Sequence, residues 1–147
     1  RTQGYAAAQI VPGGGPELVF TRGKNLFYAV LPAPGDAGGP WKLVHLSEAT
    51  EEEGIAVGDV DRDGDLDIAA YADDGHHALW FENPGAQGDW ESHRIGAAGQ
   101  WMDRIGLADL NGDGRVDLVF LGSDNQAYAM YQSSTVAGRF DAARPLR

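Results

Sequence analysis

The sequence predicts an all-β chain made of three repeats, each holding about four strands. Three observations carry this expectation. Short apolar runs are separated by clusters of Gly, Pro, Asp and Asn; glycine is heavy, at 21 of 147 residues; and two long segments match at a constant offset. Turn residues between short apolar runs are the punctuation of strands joined by turns. A repeat of about 40–50 residues with four strands is the pattern of a β-propeller blade.

The offset is read directly. GIAVGDVDRDGDLDIAAYADD from Gly54 aligns with RIGLADLNGDGRVDLVFLGSD from Arg104. Ile55 matches Ile105, Val57 matches Leu107, Asp59 matches Asp109 and Asp67 matches Asp117, so each pair is 50 apart (109 − 59, 117 − 67). One further step back sets Tyr5 under Ile55, Gly14 under Gly64, Glu17 under Asp67 and Leu18 under Ile68. GYAAAQIVPGGGPELVF is therefore a decayed first copy. The chain reads as a single partial propeller domain over 1–147, with repeats at 4–53, 54–103 and 104–147.

In the middle unit the strand-like runs are 55–60, 66–71, 77–82 and 90–95. Ile55-Ala56-Val57-Gly58 alternates, whereas Leu118-Val119-Phe120-Leu121 is continuously apolar and suited to burial on both faces. WKLVHL, WESHRI and RFDAARPL fill the last slot of successive units, and Trp80 falls under Met130. Three hairpin pairs in a sandwich are the competing architecture; four runs per repeat favour blades.

Composition narrows the function. Hydrophobic residues at 43% and aromatics at 10% belong to a globular chain. The net charge of −11 supplies no basic footprint for nucleic acid, and it would be repelled by an anionic membrane surface. No apolar run approaches a membrane span, so membrane insertion is not expected. With no cysteine there is no disulfide, thiol nucleophile or cysteine-ligated zinc. Starting at Arg1 without a leader, the chain is expected to be a processed or trimmed product.

The acids are concentrated in two loops, 59–67 and 109–117. Asp59, Asp61, Asp63 and Asp67 place side-chain oxygens at loop positions 1, 3, 5 and 9, and Asp65 can offer its carbonyl at position 7. Asp109, Asn111, Asp113, Arg115 and Asp117 repeat the scheme, with an amide oxygen from Asn111 and a carbonyl from Arg115. Ca2+ takes six to eight oxygens, and alternate donors on a tight turn converge on one point. Two Ca2+ sites are expected. An EF-hand would need Glu at position 12; Ala70 and Phe120 stand there, between β-patterned flanks. Asp-Gly hairpin turns explain the glycines but not acids at four fixed positions, twice. The first copy keeps the turn without the other acids and is expected to be metal-free.

These strand–DxDxDGxxD–strand repeats resemble the FG-GAP/VCBS blades of integrin-type calcium-binding β-propellers, and the likeness covers essentially the whole chain. LWFENP followed by WESHRI is similar to blades of secreted bacterial and fungal propellers, which include lectins and accessory domains of carbohydrate-active enzymes. The resemblance implies a secreted, extracellular setting in which millimolar calcium keeps even weak sites filled. Such rings usually have six to eight blades. Three blades imply a fragment of a longer propeller or a homo-oligomer, two chains giving six blades.

For a ligand, the leading reading is lectin-like carbohydrate recognition, because aromatic faces in shallow clefts suit sugar C–H faces. The candidates are Trp101, Trp80, Tyr71 and His76. Trp101 leads, since AAGQWMDR is a polar connection; the other aromatics equally suit blade packing. A protein-interaction or adhesion scaffold is one alternative. Accessory blades of a sugar lyase or dehydratase are another, with His76 and His77 as the groups an enzyme would need. Adjacent residues on a strand face opposite ways, so surface histidines in a turn are the plainer reading.

Overall fold

The computed structural model describes residues 4–32, 34–36 and 38–146. Its strands fall into three four-stranded antiparallel meanders. Sheet one holds β1 (Tyr5–Ala8), β2 (Glu17–Arg22), β3 (Asn25–Val30) and β4 (Lys42–Ser47). Sheet two holds β5 (Thr50–Gly58), β6 (Asp67–Ala72), β7 (His77–Glu82) and β8 (Glu91–Ala97). Sheet three holds β9 (Met102–Ala108), β10 (Asp117–Gly122), β11 (Ala127–Met130) and a two-residue β12 (Arg144–Pro145). A short 3-10 turn at Pro34–Asp36 is the one helical element among the described residues, and no helix there is long and apolar enough to cross a membrane.

The registers repeat with the sequence. Leu18 pairs with Ala29, Ile68 with Phe81 and Leu118 with Met130. Trp80 pairs with Ala69, whereas Val119, the repeat mate of Ala69, pairs with Ala129. The counterpart of Trp80 is therefore Ala129, not Met130. The hairpin after β10 closes one residue tighter, with five residues between the paired Leu121 and Ala127 against six between Tyr71 and Ala78, which moves the later offset from 50 to 49 (129 − 80).

The core lies between sheets. Val19, Leu26 and Tyr28 of sheet one pack against Ile68, Ala70 and Phe81 of sheet two. On the other side Ala69, Tyr71, Ala78 and Trp80 meet Leu118, Phe120 and Met130 of sheet three. Sheet two is thus covered on both faces, and all six residues of β6 are buried. Alternation sends neighbouring β6 side chains to opposite interfaces, and alanines there let both flanking sheets approach. Each large side chain buried this way contributes roughly 1.5–3 kcal/mol.

The first strands of the three sheets lie side by side. Gly4 N–H donates to the Glu52 carbonyl (3.0 Å), which also accepts from Thr21 Oγ1 (2.6 Å). A pit of about 270 Å³ is lined by the repeat-related pairs Gly4-Tyr5, Gly54-Ile55 and Arg104-Ile105. β5 starts earlier than the apolar alternation suggests, because 50–53 continues the strand ahead of a register shift before Ile55. Gly54 makes that shift at φ 78, and a Cβ there would lie 3.4 Å from the Ile105 nitrogen. This is a β-propeller-like fold whose ring is not closed. Sheets one and three each keep one face with no neighbouring sheet among the described residues.

Candidate functional site

The two acidic loops join the first strand of a sheet to its second, and their backbones are built alike. Asp61 Oδ1 accepts the Asp63 N–H (3.1 Å) and Asp63 Oδ1 accepts the Asp65 N–H (2.9 Å). In the later loop Asn111 and Asp113 do the same for Asp113 and Arg115, both at 2.9 Å. Asp59 and Asp109 accept the Gly64 and Gly114 N–H groups across the turn (3.2 and 2.9 Å). These short local bonds coil each loop with the remaining carboxylate oxygens inward or outward, depending on sequence.

The ninth position is a clip. Asp67 is 1% exposed and accepts Val60 N–H (2.8 Å) on one oxygen and Asn83 N–H (2.9 Å) on the other. Asp117 accepts Leu110 N–H (3.0 Å) and Gln132 N–H (2.9 Å) in the same manner. Each carboxylate thereby ties its loop to the start of the second strand and the end of the third. Asn83 extends the tie across sheets, since its Nδ2 donates to the Ile10 carbonyl at 2.7 Å. Neither Asn83 nor Gln132 is signalled by the loop motif; ENP after the third apolar run is the only local cue.

The loops differ as cation sites. Ligand atoms of Asp59, Asp61 and Asp67 all lie within 4.8 Å of one another. Asp59 Oδ1 is buried with no protein partner. Burial pushes Asp67 up to about 6, against the lowering effect of the Asn83 and Val60 N–H groups, and burial likewise raises Asp61. Three clustered carboxylates and one orphaned oxygen fit a hard divalent cation. Asp63 is exposed and stands outside this trio, and Asp65 turns its carboxylate towards Gly85.

In loop 109–117 no such trio of carboxylates forms among the described residues. Position 3 is the Asn111 amide, and Asp109 is exposed and turned onto the N–H groups of Gly112, Asp113 and Gly114. Those bonds, Gly114 first, hold Asp109 below the usual carboxylate range. Arg115 approaches Asp113 (3.8 Å) while donating to the Ser134 carbonyl (3.1 Å), so its guanidinium competes with a cation for the fifth position.

Three of the four aromatic and histidine candidates come together at the junction of sheets two and three. Trp101, 51% exposed just before β9, lies edge-on to Tyr71 (6.4 Å between centroids) and beside His76 (5.5 Å). It borders a cleft of about 390 Å³ lined also by Glu51, Glu52, Glu53, Tyr71 and Asp103. Tyr71 donates its hydroxyl to the Gly75 carbonyl (2.9 Å), and burial pushes it up to about 12. Hydrogen bonding with Asp103, then burial, raises the Glu53 carboxyl. Gly75 was not marked by the sequence, yet it seats the indole: a Cβ there would lie 2.2 Å from Trp101 Cζ3.

Trp80 is a correction. It is 5% exposed, stacked on His93 (4.4 Å) and closed over by Gly138, so it offers no face to a ligand. Its place on the inward face of β7 explains this; a strand tryptophan opposite a sheet neighbour is core. His76 and His77 diverge, the first exposed against Trp101 and the second buried with Nδ1 2.7 Å from Asp74 Oδ1. They form no paired acid–base arrangement.

No curated protein matches the chain. Residues 59–120, from the first acid of one acidic loop to the strand behind the other, match the family model described as FG-GAP-like repeat. With loops, registers and sheets repeating as they do, this segment is consistent with an FG-GAP-like repeat.

Proposed function

We propose that the chain is an extracellular, calcium-stabilised binding module that takes neutral carbohydrate in the cleft beside Trp101. The observation that carries the carbohydrate reading is the half-exposed Trp101 ring, seated on Gly75 at the edge of a cleft rimmed with carboxyl groups. An aromatic platform offers apolar contact to sugar C–H groups, and surrounding acids accept hydrogen bonds from sugar hydroxyls. Glu51, Glu52, Glu53 and Asp103 would repel uronic or sialic acids, which favours uncharged sugars over acidic ones.

Calcium is the cation the donor set suits. The candidate donors are oxygens only, which excludes the softer metals, and an irregular carboxylate cage suits Ca2+ better than the octahedral demands of Mg2+. Bound there, it neutralises Asp59, Asp61 and Asp67 and fixes β5 to β6. Its role in this reading is to hold the sheet that carries Tyr71 and Gly75, not to touch the sugar.

The test is isothermal calorimetry in calcium with cellotriose, maltotriose, mannotriose and galactobiose, followed by competition with the parent monosaccharides. Saturable, competable binding that Trp101→Ala removes without shifting the melting temperature is expected. Failure of every sugar to bind would overturn the carbohydrate reading and leave the protein-adhesion scaffold in its place.

A further inference from the structure

The geometry points to a second metal site, for a first-row divalent ion of the zinc class, held by Glu82, Glu91 and His93 on the outer strands of sheet two. One ligand atom from each of the three lies within 4.8 Å of the other two. The donor set differs from that of loop 59–67, because a ring nitrogen joins two carboxylates. Imidazole suits zinc, copper and nickel, whereas calcium takes oxygen ligands.

The strand register builds the cluster. Glu82 at the end of β7 stands directly opposite Glu91 at the start of β8, and Trp80 stands opposite His93. Residues two apart on a strand share a face, so these four side chains project from one side of the sheet. His93 stacks on Trp80 at 4.4 Å between centroids, and its Nε2 lies 2.8 Å from Glu82 Oε2. Trp80 is core, so the imidazole that carries the nitrogen rests on a fixed surface. Glu82 and His93 are part-buried and Glu91 is exposed, which leaves an ion a way in and room for a water ligand.

The other two sheets show what this position lacks. Like charges directly opposite each other on paired strands are destabilising. At the place of Glu82 and Glu91, sheet one pairs Val30 with Lys42. Sheet three has Tyr131 at the place of Glu82, and Arg144, paired with Ala129, at the place of His93. The Arg144 guanidinium lies 5.8 Å from the Tyr131 ring centre and 3.1 Å from Asp141 Oδ2. Each flanking sheet therefore carries a cation of its own here. Sheet two carries two glutamates instead, and Arg94 beside them is turned to the opposite face, towards Asp74 (3.6 Å). Among the described residues no lysine or arginine forms an ion pair with Glu82 or Glu91. A divalent ion supplies that charge and joins β8 to β7.

The test is isothermal calorimetry with zinc chloride titrated into the 147-residue chain in excess calcium. One equivalent of zinc that calcium does not displace is expected. His93→Ala and Glu91→Gln should each weaken it by about tenfold or more. Glu91 is exposed, so its variant keeps the fold even where loss of the His93 stack costs stability. Asp59→Ala should leave zinc binding as it was, since it alters only the acidic loop. Copper should quench Trp80 emission, read with the other three tryptophans changed to Phe, and Glu91→Gln should shift that quenching to higher copper concentration. A chain that takes up no zinc, or zinc binding that persists unchanged in both His93→Ala and Glu91→Gln, would overturn the assignment. Loss of zinc in Asp59→Ala would overturn it too, by placing the ion in loop 59–67.

Discussion

Glu17 occupies in sheet one the place that Asp67 occupies in sheet two. Both carboxylates are 1% exposed, and each accepts the N–H of the residue seven positions earlier, Ile10 at 2.9 Å and Val60 at 2.8 Å. The first copy has lost the other loop acids but kept the loop half of the clip, with Val11 N–H (3.1 Å) as its second donor in place of an N–H from the end of the third strand. The loop half of the clip is therefore kept where the cluster of loop acids is not.

The first prediction follows from that separation. Glu17→Ala strands two buried or half-buried N–H groups and should cost about 3 kcal/mol. Thermal melting should fall by roughly 6–12 °C, equally with calcium and with EDTA. Asp67→Ala should show a larger loss in calcium than in EDTA, and differential scanning calorimetry in both buffers checks the contrast.

Gly75 and Trp101 give the second. At φ 74, Gly75→Ala adds left-handed strain and drives a methyl group into the indole. A stability loss of about 1–2 kcal/mol is expected. Displacement of the ring should also blue- or red-shift Trp101 emission relative to the parent, measured in a background with the other tryptophans changed to Phe. Binding of any sugar found at the cleft should fall with it.

The third concerns the two loops. Calcium titration should be biphasic, the tighter phase belonging to 59–67, where Asp59 keeps an orphaned oxygen, and the weaker to 109–117, where Asp109 is occupied by its own backbone. Asp59→Ala should remove the tight phase and leave the weak one, as read by calorimetry. Arg115→Ala should tighten the weak phase, by releasing Asp113.

Glu53 supplies a pH test. Its carboxyl is raised, chiefly by hydrogen bonding with Asp103, so the stabilisation that it shares when protonated is present below the ordinary carboxylate range. That contribution is lost as pH rises through the raised value. Near neutrality Glu53→Gln should therefore melt higher than the parent by about 1–2 °C, a small gain because the pair is solvent-screened. The difference should close towards about pH 4.

Much of this was legible in the sequence. The 50-residue offset marked three sheets, since Leu18, Ile68 and Leu118 carry both the repeat and the register. The acid spacing marked the loops, and Trp101 in its polar connection marked the cleft. What stayed hidden depended on three-dimensional neighbours. The linear offset set Trp80 under Met130, but a hairpin register one residue tighter makes Ala129 its counterpart. Asp63 fits the motif as well as Asp61 does, yet it is Asp61 that lies clustered with Asp59 and Asp67. The role of Glu17 stayed hidden because one retained acid says nothing of the two N–H groups it holds.

The most direct measurement is the thermal melt of the chain in saturating calcium and in excess EDTA. Calcium at about 100 times its dissociation constant adds roughly 2.7 kcal/mol, which raises the midpoint by about 5–10 °C for a chain of this size. A rise of that order, absent in Asp59→Ala, is the predicted result. A midpoint unchanged by EDTA would contradict the account of 59–67 as a calcium-filled brace.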